Sequence, residues 1–275
     1  MITVRPVALS WEDRPLPRPL LGDDLVLGHL AAVLSAAFPE GEAFFVRSVR
    51  RFRDQIDDPV LGDRVRAFCA QEAIHAREHR ALNRRLAELG YPTRHLDRRA
   101  GWALRLLERL LSPAACLAAT AALEHGTATL ADALLTSAEV RAIFDDDQLR
   151  TLVLWHALEE AEHRAVAFDV YQQVDGRTWL RTILLRIALV TTTLDFASAL
   201  ACSLACDPLV RRHPRQVWRS LRALRRSPFA GLGLGATLLD YTRPDFHPND
   251  HGDPAVLVAW RAELFGELTP STPPA

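Results

Sequence analysis

Lysine is absent from this chain: all 33 basic side chains among its 275 residues are arginine. Beside abundant alanine and leucine, that absence reads as coding bias rather than as a functional signal. The net charge is −1, so no excess of either sign points to nucleic acid. Cysteine is scarce, at four residues. Cys202 and Cys206 stand four apart, Cys69 and Cys116 are isolated, and none has zinc or thiol-redox spacing. All four are expected as reduced core residues. Met1 to Pro19 has no long apolar stretch and carries Arg5, Glu12 and Asp13, which argues against a signal peptide and makes a cytoplasmic location the default expectation. No segment alternates persistently between apolar and polar residues, so strands are not expected. Gly231, Gly233 and Gly235 follow no strand and lack the spacing of a phosphate-binding loop.

What the sequence does contain is helix, with 49% hydrophobic residues, enough for a large core in one extended domain. Helical periodicity is expected over 23 to 38 and, after an interruption at Pro39 and Gly41, over 42 to 55. Asp57, Asp58 and Pro59 start a long second helix that Gly90 ends. A third helix runs from about 98 to 111. A fresh start with Ser112 as cap and Pro113 in the first turn carries the next helix through Glu124 to about Thr136. Asp145 to Asp147 begin another that runs through His163 to about Gln173. The expected fold class is all-α: a ferritin-like four-helix bundle over about 23–175, with additional C-terminal helices and a tail over about 176–275, all in one helical domain 1–275.

Within these helices a Glu-x-x-His unit occurs twice, as Glu72-Ala-Ile-His75 and Glu160-Ala-Glu-His163. Three residues apart on a helix, the two side chains leave from one face, so two such helices can hold a pair of metal ions between them. With 14 glutamates and 10 histidines in the chain, about half of one such pair is expected by chance, so the pattern must be wider to mean anything. It is wider. Glu42 lies 30 residues before Glu72, and Glu124 lies 36 before Glu160, each in an apolar helical setting. The order Glu42, Glu72-x-x-His75, Glu124, Glu160-x-x-His163 is that of dinuclear carboxylate bundles. Four glutamates gathered in an apolar interior would be costly or protonated unless cations compensated them, and two divalent ions cancel their charge.

His156, Glu160 and His163 fall within one stripe, at about 0°, 40° and −20° around the helix, so His156 is a seventh candidate ligand or a group packed behind one. Glu159 and His79 border the site; either is a candidate base or an orienting partner for a ligand. Glu162 points away and is expected to be solvated or ion-paired. His125 points about 100° from Glu124, which argues against ligation. His247 and His251 are expected to cover the bundle surface.

The strings Pro39-x-Gly41-Glu42, Phe68-x-x-Gln71-Glu72-x-x-His75-x-x-Glu78-His79, Trp155-His156-x-x-Glu159-Glu160-x-Glu162-His163 and Arg243-Pro244-x-Phe246-His247-Pro248 resemble the bacterial family named predicted metal-dependent hydrolase, from about residue 10 to 266. The seven candidate ligands Glu42, Glu72, His75, Glu124, His156, Glu160 and His163 are also similar in order to those of the ferritin-like arylamine N-oxygenases, whose di-iron site has four glutamates and three histidines. The first resemblance implies a metal and hydrolysis; the second implies two irons and dioxygen. The reading favoured here is a dinuclear non-haem oxidoreductase with two iron ions, manganese or a mixed pair being alternatives. It would act on an apolar small molecule with dioxygen and an unidentified electron donor. Glu72 and Glu160 are expected as bridges, Glu42 and Glu124 as terminal ligands, and His75 and His163 one to each ion. A metal-dependent hydrolase using metal-bound water and a base such as Glu159 or His79, and a non-catalytic iron-binding protein, are the competitors.

Ile187 to Cys206 are twenty residues whose one charge is Asp195, long enough to cross a bilayer. A buried fifth helix is the favoured reading. Peripheral membrane contact or an oily substrate entrance is the alternative, helped by the basic helix expected over His213 to Arg226. A homodimer is also compatible with the sequence.

Overall fold

The computed structural model describes residues 2–7, 9–11, 15–224 and 227–266, and every regular element among them is helical. Glu12 and Asp13, the last two residues of the expected basic helix (Arg225 and Arg226) and the tail beyond 266 lie outside the described residues. The helices are α1 (Leu25–Arg50), α2 (Pro59–Glu88), α3 (Thr93–Leu110), α4 (Pro113–Thr136), α5 (Ala138–Arg141), α6 (Asp147–His163), α7 (Val166–Val174), α8 (Thr178–Cys206), α9 (Pro208–Arg212), α10 (Pro214–Leu224), α11 (Leu234–Asp240) and α12 (Pro254–Phe265).

Side-chain caps set most of the starts. Asp58 accepts from Val60 N ahead of Pro59, Ser112 from Ala115 N ahead of Pro113, and Asp146 from the amides of Gln148 and Leu149. Each satisfies an amide the first turn leaves without a partner. Gly90 and Gly176 take positive φ, at 91° and 66°, where the chain turns after α2 and α7.

Helix boundaries depart from expectation at two places. The interruption at Pro39 and Gly41 does not occur: α1 runs through both residues without ending. A mid-helix proline leaves the carbonyl four residues earlier without its donor. Here that carbonyl belongs to Ser35, and the Asn83 amide of α2 donates to it at 2.9 Å. Conversely, the helix expected to continue past His163 stops there and restarts at Val166. At the break Arg164 Nε donates to Ala161 O at 3.0 Å, giving that carbonyl of the last turn a side-chain partner.

α1 and α2 form an antiparallel pair, with Ser35 against His79 and Asn83 and Pro39 against Arg80. α4 and α6 form a second, with Glu124 against His163 at one end and Leu134 and Leu135 near Leu154 and Ala157 at the other. α3 packs along α1 on its way from one pair to the next, and α8 lies over α4 and α1. Phe44, Phe68, Leu117 and Phe168 pack into one apolar cluster, and Leu20, Leu82, Leu152 and Trp155 into another. Each such burial contributes about 1.5–3 kcal/mol, which offsets the cost of the polar groups enclosed with them.

α8 corrects the expectation of a buried fifth helix. It buries Leu180, Leu184, Leu185 and Ala199, while Trp179, Ile183, Ile187, Val190 and Leu194 form an exposed stripe, Leu194 being 65% accessible. Cys206 is exposed and Cys69 and Cys202 are half-buried, so Cys116 alone meets the expectation of a buried thiol. The α8 face that does pack carries Arg181, fully buried, whose guanidinium donates to the carbonyls of Tyr241 and Arg243 and lies over the rings of Phe168, Tyr241 and Phe246. Arg181→Ala would strand two buried carbonyls at about 1–3 kcal/mol each. We expect a total loss of about 3–5 kcal/mol, read as a lower urea midpoint, with faster amide exchange over 236–251.

Candidate metal centre

All seven ligand candidates converge, and each is at most 5% accessible. α1 contributes Glu42; α2, Glu72 and His75; α4, Glu124; α6, His156, Glu160 and His163. Donor atoms of Glu72, His75, Glu160 and His163 lie within 4.8 Å of one another, and those of Glu42, His79 and His156 form a second such group. Two ligand atoms each about 2.1 Å from one ion are separated by roughly 3 Å when adjacent and 4 Å when opposite, so both groups have the dimensions of a single-ion site. His75 and His163 thus share a group, where one histidine on each ion was expected.

Between them, Glu72 and Glu160 lie within 4 Å of all three candidate ligand histidines. Glu72 Oε1 is 3.1 Å from His163 Nε2 and 3.6 Å from His75 Nδ1. Glu160 Oε1 is 2.9 Å from His156 Nε2, 3.8 Å from His75 Nδ1 and 3.9 Å from His163 Nε2. Glu124 Oε2 is 3.1 Å from His163 Nδ1, and Glu42 Oε1 is 3.7 Å from His156 Nε2. Both oxygens of Glu42 and of Glu72, together with Glu124 Oε1, Glu160 Oε2, His75 Nδ1 and His163 Nε2, are buried without a hydrogen-bond partner. Buried polar atoms are almost always paired, and a cluster of orphans made of carboxylate oxygens and imidazole nitrogens is a donor set suited to divalent cations.

Glu159 and His79 stand behind histidines. Glu159 Oε2 meets His75 Nε2 at 2.9 Å, on the ring edge away from Glu72 and Glu160. Its other oxygen accepts from the backbone amide of Arg5 at 3.2 Å. The N-terminal segment is therefore part of this surround: Arg5 O accepts from Trp155 Nε1 at 3.2 Å, and Thr3 O from Gln71 Nε2 at 2.9 Å. His79 Nε2 meets His156 Nδ1 at 2.9 Å. A carboxylate behind a ligating histidine orients the ring and raises its basicity, an effect worth 10–100-fold in metal affinity. We expect Glu159→Gln to weaken Co²⁺ binding by about that factor, measured by competitive titration.

Charge is distributed unevenly among these side chains. Burial, and then neighbouring Glu72, hold the Glu42 carboxyl well above its usual range, and burial with Glu160 nearby pushes Glu124 up to about 8. Burial also acts to raise Glu72 and Glu160, but adjacent histidines outweigh it and hold both below the usual range. For His75, burial is opposed and overcome by the hydrogen bond to Glu159 and by the Glu72 carboxylate 3.6 Å away, giving about 10; His163 is raised against burial by Glu124 and Glu160. His79 and His156 are lowered, by burial first and by nearby histidines second.

The remaining polar candidates lie apart. Glu162 is ion-paired with Arg5 and Arg261. His125 meets Thr237 O at 3.0 Å and stacks on Tyr241, His247 pairs with Asp169, and His251 lies 3.5 Å from Asp240. The groups that sequence reasoning missed are Arg5, Ser35 and Asn83. Asn83 has a signal in retrospect, since it continues the four-residue spacing of His75 and His79.

Fold and site together define an all-α metal-binding protein with a buried His/Glu centre. The sequence matches the family described as predicted metal-dependent hydrolase over residues 3–252, and the chain belongs to that family. No curated protein and no solved structure matches it significantly.

Proposed function

We propose that the chain is a dinuclear metalloenzyme, with one ion among Glu72, His75, Glu160, His163 and Glu124 and the other beside Glu42 and His156. The observation that carries this is the set of orphaned, buried carboxylate and imidazole atoms drawn from four helices. The family description favours hydrolysis as the reaction, moving it ahead of the oxidoreductase reading that the ligand order suggested. Bound metal would lower the pKa of a coordinated water to make a nucleophile near neutral pH. The chain's own residues hold the ions, fix the three imidazoles and enclose the centre between the apolar clusters around Phe68 and Trp155.

One observation favours the second reading, dioxygen chemistry at two irons. Glu159 and His79, the two candidate bases, are each engaged with the far side of a histidine. A hydrolase would then have to draw its base from the carboxylate ligands themselves. The substrate under either reading is a small molecule.

Metal analysis of anaerobically purified protein, followed by two assays, tests the proposal. About two ions per chain are expected. Ester or phosphoester turnover that persists when zinc replaces iron supports hydrolysis. Oxidation of the reduced iron protein by dioxygen with a transient absorption, and no turnover with zinc, supports the oxidoreductase. A chain that takes up no divalent metal would falsify both.

A further inference from the structure

We infer that Asn83, Ser35 and His79 form a positioning relay that presents His156 to metal through Nε2. This rests on the dinuclear reading above. The relay begins with Pro39. Because proline has no N–H, the Ser35 carbonyl one turn earlier lacks its helical donor, and Asn83 Nδ2 supplies one at 2.9 Å. A carbonyl can only accept, so the orientation of the Asn83 amide follows: its Oδ1 faces Ser35 Oγ, 2.8 Å away.

Ser35 has a single hydroxyl proton, and it goes to Asn83 Oδ1. Ser35 Oγ must then accept from His79 Nδ1, 3.0 Å distant, which places the proton of neutral His79 on Nδ1 and a lone pair on Nε2. His79 Nε2 therefore accepts from His156 Nδ1 at 2.9 Å. Neutral His156 is left with its lone pair on Nε2. That lone pair faces two carboxylate oxygens, Glu160 Oε1 at 2.9 Å and Glu42 Oε1 at 3.7 Å, an arrangement of acceptors that suits a cation between them. Asn83, Ser35 and His79 are buried, and the Phe38 ring packs tilted against the rings of both His79 and His156, which limits their rotation.

His75 is backed differently, by a carboxylate rather than a neutral chain. The two ion positions are thus inequivalent by construction. The one beside His156 has fewer nearby donors and depends on the relay to present its imidazole correctly.

The experiment is a Co²⁺ titration of the full-length protein, followed by its ligand-field bands, with variants Ser35→Ala and Asn83→Leu and a control, Ser48→Ala, at a buried hydroxyl on the same helix that has no hydrogen-bond partner. Wild type and control are expected to take up two ions per chain. Both relay variants should bind the first ion as wild type does and the second about 10–100-fold more weakly. Nitrogen-15 NMR of the Zn²⁺-loaded wild type should show His79 protonated at Nδ1 and bare at Nε2, a signature that loss of packing alone would not produce. Second-ion affinity unchanged in both variants, equal weakening of both ions, or His79 protonated at Nε2 overturns the relay while the dinuclear reading stands. Failure of wild type to bind Co²⁺ at all removes both.

Discussion

Loading two divalent ions at pH 7 is expected to release close to four protons per chain. In the metal-free cluster Glu42 and Glu124 retain their protons and His75 and His163 carry theirs, while Glu72 and Glu160 are ionised and His79 and His156 neutral. The two positive imidazoles balance the two carboxylates. With metal bound, four carboxylates balance two dications, so both states are neutral and loading is an exchange of four protons for two ions. The sign follows. Protons compete with metal, and raising the pH removes competitors. Near pH 7 the product of the two association constants should rise by about four orders of magnitude per pH unit, since each displaced proton contributes tenfold. Above Glu124's value of about 8 the slope should fall to three, and above His75's value of about 10 it should fall again. Calorimetry in buffers of different ionisation enthalpy counts the protons directly. Release of one proton or none would show that metal does not enter this cluster.

The double variant Glu72→Ala, Glu160→Ala should lose both ions together. Removal of these two side chains takes both carboxylates from the first group, and it also takes Glu160 Oε1, the carboxylate oxygen 2.9 Å from His156 Nε2, from beside the second. The comparison that isolates the effect is stability with and without chelator. Wild type at free metal about 1,000 times Kd gains about 4 kcal/mol, which EDTA abolishes. The variant should show the same urea midpoint in both conditions. Two ions still bound to the double variant would contradict this placement of the centre.

How much of this was legible in advance depended on whether the signal was local. Glu72, His75, Glu160 and His163 were visible as candidates because helical spacing is written in consecutive residues, and Glu42 and Glu124 because each lies on an earlier long helix, 30 and 36 residues before its Glu-x-x-His unit. Caps at Asp58, Ser112 and Asp146 were equally local. Pro39 misled for the complementary reason: a proline ends a helix only if the carbonyl it abandons finds no donor, and that donor, Asn83, is 48 residues from Ser35. The stop at His163 carries no comparable mark in the sequence, since neither proline nor glycine stands at 164 or 165. The roles of Glu159 and His79 were undecided from sequence because a residue beside a ligand can face the ion or the far side of the ring, and rotation about the helix does not distinguish them. The exposure of α8 was missed because an apolar helix reads the same whether or not anything covers it.

The enclosure of the centre bears on time as well as on affinity. With every donor buried, an ion can enter or leave only when the helices part, so the frequency of that opening limits exchange. The rate at which a chelator strips the protein should therefore become independent of chelator concentration once opening is the slow step. A long residence time is the expected result, and the N-terminal segment, pinned to Glu159 and Trp155 through Arg5, is one of the latches that sets it.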